Sequence, residues 1–423
     1  MIRFYNGRVL RFGGGIHITD DEVWVEGSRI KYVGPHKDTE EKFDRQIDLR
    51  GDLLMPGFKN AHTHTAMTFL RSLADDLPLQ DWLNNKVYPN EAKLTDEIVY
   101  YASLLGIMEY LSSGMTANFD MYFHNEGCAK ASADAGFRTV ILASLNNFDR
   151  DIYNIEREYL RFNNYDPLIS YRLGIHAEYT TCMERMEYLA SLAEKYAEPV
   201  YLHLSETKGE VEGCIERYGI TPPQLMDRLG MYRYGGGGIH CVWFTDEDIE
   251  LFSEKGLWAV TCPASNLKLA SGIAPIHRSM RRGMRWAIGT DGAASNNALD
   301  MFREMYLTTA LQKYYENYAS AMDAAEVLKM ACVNGAYVMG LDDADGVEEG
   351  KLADLTVIDL SKPNMRPINC IEKNIVYSGS KQNVRLTMVN GRVLYENGEY
   401  FIGIDPMEVY TKTEKLLREN NIG

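Results

Sequence analysis

Apolar and polar positions along the chain fall into two textures. Residues 1 to about 55 carry short alternating runs broken by glycine, such as Gly7-Arg8-Val9-Leu10-Arg11-Phe12 and Glu22-Val23-Trp24-Val25-Glu26-Gly27. Alternation of period two with glycine punctuation predicts strands joined by hairpins, because successive side chains on a strand face opposite ways. The same texture returns in Asp354-Leu355-Thr356-Val357-Ile358-Asp359 and again from Val384 to Val393. Two β-rich ends around a different middle predict a small β-sandwich built from both termini, since the ends of a chain often meet.

The middle alternates short apolar runs with helical periodicity. The runs end near Ala61, Phe119, Ser144, Ile175, Leu202, Ile239, Thr261 and Gly289. Helices are predicted between them, among others over 98–113, 183–196, 245–255 and 276–283. Eight β-α alternations over about 280 residues predict an α/β fold, a TIM-like (β/α)8 barrel. The expected division is 1–55 plus 355–423 for the composite β-sandwich domain and 56–354 for the barrel. A doubly wound sheet is the alternative, but no Gly-rich nucleotide fingerprint opens a helix. The run Gly235-Gly236-Gly237-Gly238 precedes a strand and reads as a helix-to-strand loop.

A chain of 423 residues has room for a large barrel and an accessory domain. Its net charge of −16 argues against nucleic acid or an anionic membrane as partner. No apolar window approaches the roughly 18 residues a membrane span needs. The N-terminal residues lack the apolar core of a signal peptide. The seven cysteines are scattered, odd in number and form no C-x-x-C pair, which predicts free thiols and a cytoplasmic setting. A homo-oligomer stays open.

The chemistry gathers at the predicted strand ends, where such barrels build their active sites. The first strand closes on Asn60-Ala61-His62-Thr63-His64, which puts two imidazoles on one face. The fourth ends in His176, the fifth carries His203 and Glu206, the sixth carries His240, and the eighth ends in Asp291. His124, just past the second strand, is open between a substrate loop and ordinary surface. Of nine histidines, six fall at such ends; His17, His36 and His277 do not. Three imidazoles and a carboxylate, His62, His64, His203 and Asp291, suit one divalent metal, with zinc first and iron or manganese as alternatives. A metal there leaves a position for water and makes that water more acidic. Asp291 and His240 are the expected proton acceptors, and Glu206 the acid-base group that protonates a substrate ring nitrogen. The stretch from Tyr171 to Thr180 has no lysine to bridge a second metal.

These residues resemble the amidohydrolase superfamily, specifically its methylthioadenosine/S-adenosylhomocysteine deaminase and chlorohydrolase branch. The resemblance runs through Pro56-Gly57-Phe58-Lys59-Asn60-Ala61-His62-Thr63-His64, His203-Leu204-Ser205-Glu206-Thr207, Pro263-Ala264-Ser265-Asn266-Leu267-Lys268-Leu269 and Gly289-Thr290-Asp291-Gly292. It implies metal-dependent hydrolytic deamination of an adenosine-type nucleoside to its inosine analogue. The alternatives are dechlorination or deamination of another nitrogen heterocycle, such as a triazine or guanine, and a non-catalytic barrel scaffold. The resemblance also implies substrate roles for Glu91 on the ribose hydroxyls, for His176, and for Trp82 as a wall of the base pocket. Two departures stand out. Thr261-Cys262 occupies positions where the family often has a histidine. Arg150 is the nearest arginine for a homocysteine carboxylate, yet its register does not match cleanly and a surface ion pair is the competing reading.

Overall fold

The computed structural model describes the chain apart from Ala74, Pro78 and Gly423 and the side chains of Leu79 and Gln80. Gly423, the last residue of the expected terminal domain, therefore lies outside the described residues. Eight parallel strands run in consecutive order: Phe58–Thr63, Met115–Met121, Arg138–Leu142, Ile169–Ala177, Val200–Leu204, Gly236–His240, Trp258–Thr261 and Arg285–Ile288. The fold class expected from the apolar alternation is borne out. The eighth strand reaches the first where Asp291 N–H donates to His62 O at 3.1 Å and Thr290 N–H to Asn60 Oδ1 at 2.9 Å. Gly289 allows this approach, because a Cβ there would stand 2.7 Å from the His62 backbone.

The bore is filled by Ala61, Phe119, Val140, Tyr201, Ile239 and Val260, so the barrel is a packed core with its chemistry at one rim. The expected helix 183–196 is present as Met183–Tyr196, and 98–113 as Asp96–Ser112, where the Thr95 hydroxyl accepts from Ile98 N–H and caps the first turn. One expectation is corrected. Gly236, Gly237 and Gly238 belong to the sixth strand and not to a loop before it. A Cβ on Gly236 would lie 2.0 Å from Val200 O, and one on Gly237 1.8 Å from Trp258 O. Glycine is used here for close approach of the neighbouring strands, which overrides its poor strand propensity.

The apolar run Leu53 to Phe58 is shared between two sheets. Leu53–Pro56 pairs antiparallel with Leu355–Ile358 and parallel with Arg8–Phe12, while Phe58 opens the barrel. The two terminal sheets, one of four strands and one of seven, bury Phe4, Val23 and Ile47 against Leu54, Val357 and Leu386. The last helix, Pro406–Glu419, instead packs on Asp96–Ser112 at the barrel's flank.

Candidate active site

Five of the predicted residues converge at the C-terminal rim. His62 Nε2 lies 3.1 Å from His203 Nε2 and 3.6 Å from Asp291 Oδ1, and His64 Nε2 lies 3.3 Å from the same oxygen. Ligand atoms of His62, His64 and Asp291 all fall within 4.8 Å of one another, as do those of His62, His203 and His240. The backbone is bent to aim them: His240 at φ 73° and Asp291 at φ 59° sit in the left-handed region that β-strand residues avoid. Such strain collects at functional rims, where surrounding packing holds it.

The tautomers follow from the main chain. His203 Nδ1–H donates to His176 O at 2.9 Å, and His64 Nδ1–H donates to Met121 O. Both rings therefore turn an Nε2 lone pair toward the cluster. Burial pushes His62 down to about 3 and His203 well below the usual imidazole range. Burial acts downward on His64 too, but its contacts with Asp291 and the Met121 carbonyl outweigh this and raise it. Burial alone would raise Asp291, yet His62 and His64 hold its carboxyl well below the usual range. Imidazole nitrogens gathered around a buried carboxylate are the donor set of a divalent cation, and His62, His64, His203 and Asp291 fit one. Ser265 Oγ–H donates to the other carboxylate oxygen, Oδ2, at 2.5 Å.

A cavity of about 510 Å³ opens over this cluster and is lined by His64, His203, His240, Asp291, Glu206 and His176, with Glu91, Trp82 and Tyr122 in the same wall. That volume suits a small organic ligand. Glu206 Oε1 accepts from Ser271 Oγ at 3.0 Å, which leaves Oε2 facing His240 Nε2 at 3.9 Å. Glu91 accepts from Tyr122 Oη at 3.0 Å; burial raises its carboxyl to about 7, against the Tyr122 hydrogen bond, which lowers it. Burial pushes His176 down to about 4.

Two positions fall elsewhere. Arg150 is exposed and does not line the cavity; its neighbour Asp149 does. Asn146 N–H donates to Asp149 Oδ2 at 2.7 Å, which holds that carboxylate in the turn while the arginine goes out to solvent. His124 caps helix Asn125–Ala135 at φ 61° and pairs its Nδ1 with Asp96 Oδ1 at 2.7 Å, outside the cavity.

The sequence pattern of the amidohydrolase family matches residues 53–394. The chain belongs to the amidohydrolase family. It is 38% identical over 420 residues to a 5-methylthioadenosine/S-adenosylhomocysteine deaminase of Pyrococcus furiosus, covering 97% of this chain and 99% of that one. A protein of the same description from Caldicellulosiruptor saccharolyticus is 37% identical, with 97% of each covered. Among solved structures, an adenosine deaminase from Xanthomonas campestris with bound zinc superimposes with a TM-score of 0.93 at 32% identity, covering 99% of this chain and 98% of that one. An atrazine chlorohydrolase from Arthrobacter aurescens TC1 shares the fold, with a TM-score of 0.90 at 21% identity over 99% of this chain and 100% of that one.

Several side chains of this amidohydrolase's site escaped the sequence reading. Asn266 Oδ1 accepts from His240 Nδ1–H at 2.8 Å, and with Ser265 it comes from the short helix Pro263–Lys268 after the seventh strand. That pair lay inside a quoted motif, but its partners are distant in sequence. Ser271 and Tyr122 carried no signal. Asp120, fully enclosed and raised by burial to about 6, accepts from Thr65 N–H at 2.7 Å and steadies the turn after His64. Thr261 and Cys262, at the positions where a histidine was expected, are both buried under the rim.

Proposed function

We propose that this amidohydrolase is a zinc-dependent deaminase of adenosine-type nucleosides such as adenosine, 5′-deoxyadenosine, methylthioadenosine or S-adenosylhomocysteine. The products are the inosine analogue and ammonia. The observation that carries the reading is one cavity lined both by the acid-base group Glu206 and by the buried carboxyl of Glu91. A purine at the first and a ribose at the second make a nucleoside the natural occupant. The names borne by its relatives from Pyrococcus furiosus and Xanthomonas campestris agree with this.

His62, His64, His203 and Asp291 would hold a zinc ion, which would supply acidification of water near neutral pH. The chain's own groups do the rest. His240 and Asp291 accept the proton that the attacking water gives up as its oxygen bonds to carbon 6 of the base. Glu206 takes that proton up through Oε2, which faces His240 while Ser271 occupies Oε1, and delivers it to the adjacent ring nitrogen. The hydroxyl proton on carbon 6 then passes through the same groups to the amine, the C–N bond breaks, and ammonia leaves with the carbonyl formed. Glu91 accepts hydrogen bonds from the ribose hydroxyls, while Trp82 and His176 line the pocket beside them.

Free cysteines throughout fit a reducing, cytoplasmic setting. Among the described residues no helix is long and apolar enough to cross a membrane. The same reading assigns catalysis to residues 56–354 and takes the strands of 1–55 and 355–423 as the composite β-sandwich domain, with the closing helix Pro406–Glu419 set against the barrel. Displacement of chloride from a triazine, or deamination of guanine, could use the same cluster but has no use for Glu91. Ammonia release from adenosine, methylthioadenosine, guanine and a chlorotriazine, compared side by side, separates these reactions.

A further inference from the structure

The cavity continues past Glu91 toward the loops that follow the second, third and fourth barrel strands. There its wall is made by Phe123, Asn146, Phe148, Asp149 and Thr180, with Tyr88 packed on Phe148 at a ring separation of 5.8 Å. Among the described residues no lysine or arginine lines the cavity, whereas the Asp149 carboxylate does. Arg150 points to solvent, and Arg185, outside the lining, donates one guanidinium nitrogen to the backbone carbonyl of Asp149 at 2.8 Å; burial raises the Asp149 carboxyl and the nearby Arg185 charge only partly offsets this. One Asp149 oxygen is bound by Asn146 N–H at 2.7 Å, and its second has no protein hydrogen-bond partner among the described residues.

On the nucleoside reading above, a ribose held by Glu91 sends its 5′-substituent into this part of the cavity. We propose that this end of the cavity is a selectivity subsite for uncharged or cationic 5′-substituents, with Asp149 the residue that disfavours a carboxylate, so that S-adenosylhomocysteine, whose substituent carries one, is the poorest of the nucleosides named above. A 5′-thioether methyl meets aromatic rings and loses little hydration. An ammonium meets a half-enclosed carboxylate, and aromatic faces favour a cation as well. A carboxylate there loses its water and meets the like charge of Asp149 while the neighbouring Arg185 guanidinium stays outside the lining, the repulsive element on which specificity often rests.

The test uses the metal-loaded full-length protein and three matched thioethers of 5′-deoxyadenosine: 5′-methylthio, 5′-(2-aminoethylthio) and 5′-(carboxymethylthio). At about pH 8 and low salt, kcat/KM is expected to be highest for the amine, close behind for the methyl, and at least about tenfold lower for the carboxylate. In Asp149→Asn the amine-to-carboxylate ratio is expected to collapse by about tenfold. If that variant does not fold, the wild-type ranking alone decides, together with its compression at high salt. A carboxymethyl compound turned over as well as the methyl one, or a ratio unmoved in Asp149→Asn, overturns the subsite. Failure to deaminate any of the three, with adenosine also inert, overturns the deaminase reading instead.

Discussion

Tyr122 donates its phenol to Glu91 Oε1 at 3.0 Å and so joins the rim of the second strand to the helical turn that carries the buried carboxyl. This bond fixes one oxygen of Glu91 and leaves the other for a ligand. Replacing Glu91 with glutamine keeps the shape but turns an acceptor pair into a donor and an acceptor. For Glu91→Gln, kcat/KM with adenosine or methylthioadenosine is expected to fall by about a hundredfold. Turnover of ring compounds without ribose, where any is measurable, is expected to change far less. Equal losses on both classes would remove Glu91 from ribose binding.

The pH dependence of KM follows from the same group. With its carboxyl raised to about 7 by burial, Glu91 is protonated below that pH in the free enzyme and ionised above it. On the ribose contact proposed above, only the carboxylate accepts from both hydroxyls, so affinity is expected to fall with pH. KM for the nucleoside is expected to rise by about tenfold between pH 8 and pH 6, and the Glu91→Gln variant to lack that rise. Steady-state kinetics across this range on both proteins checks it.

Chelation tests the metal cluster. Removing the ion leaves the His62, His64 and His203 rings and the Asp291 carboxylate without the cation that would join them, so activity is expected to vanish and thermal stability to drop. Added zinc should restore both, with about 4 kcal/mol of stabilisation at a thousandfold excess over Kd. His203→Ala should bind less than one equivalent of metal and gain no such stabilisation. Full metal occupancy in that variant would exclude His203 as a ligand.

Ser271 is a positioning residue for Glu206. The hydroxyl holds Oε1, and the Ser271 carbonyl is itself anchored by Trp243 Nε1–H at 2.8 Å. Ser271→Ala is expected to lower kcat about tenfold with KM and metal content nearly unchanged, and Ser271→Thr to recover most of the loss. A change confined to KM would mean that the serine shapes the pocket and does not orient the acid.

Much of this molecule is legible from its sequence because β/α alternation writes each barrel strand as an apolar run and places chemistry at its end. His62, His203, His240 and Asp291 could be picked out for that reason alone. What stays hidden depends on which loops meet. Ser265, Asn266, Ser271 and Tyr122 contact the site residues across long sequence separations, and no local period marks them. The glycine run of the sixth strand was misplaced because its use, close approach of the strands on either side, is a tertiary fact. Arg150 shows the finest limit: one residue along a turn separates a side chain in the cavity, Asp149, from one in solvent.

Ammonia release by the metal-loaded protein on methylthioadenosine, with wild type and Glu206→Gln side by side, decides whether this chain deaminates a nucleoside and whether Glu206 carries the proton. Wild type is expected to yield one ammonia per nucleoside converted to the inosine analogue. Glu206→Gln should retain its metal and lose about a thousandfold in kcat. No ammonia from wild type on any adenosine-type nucleoside, or undiminished turnover in Glu206→Gln, would contradict that reading.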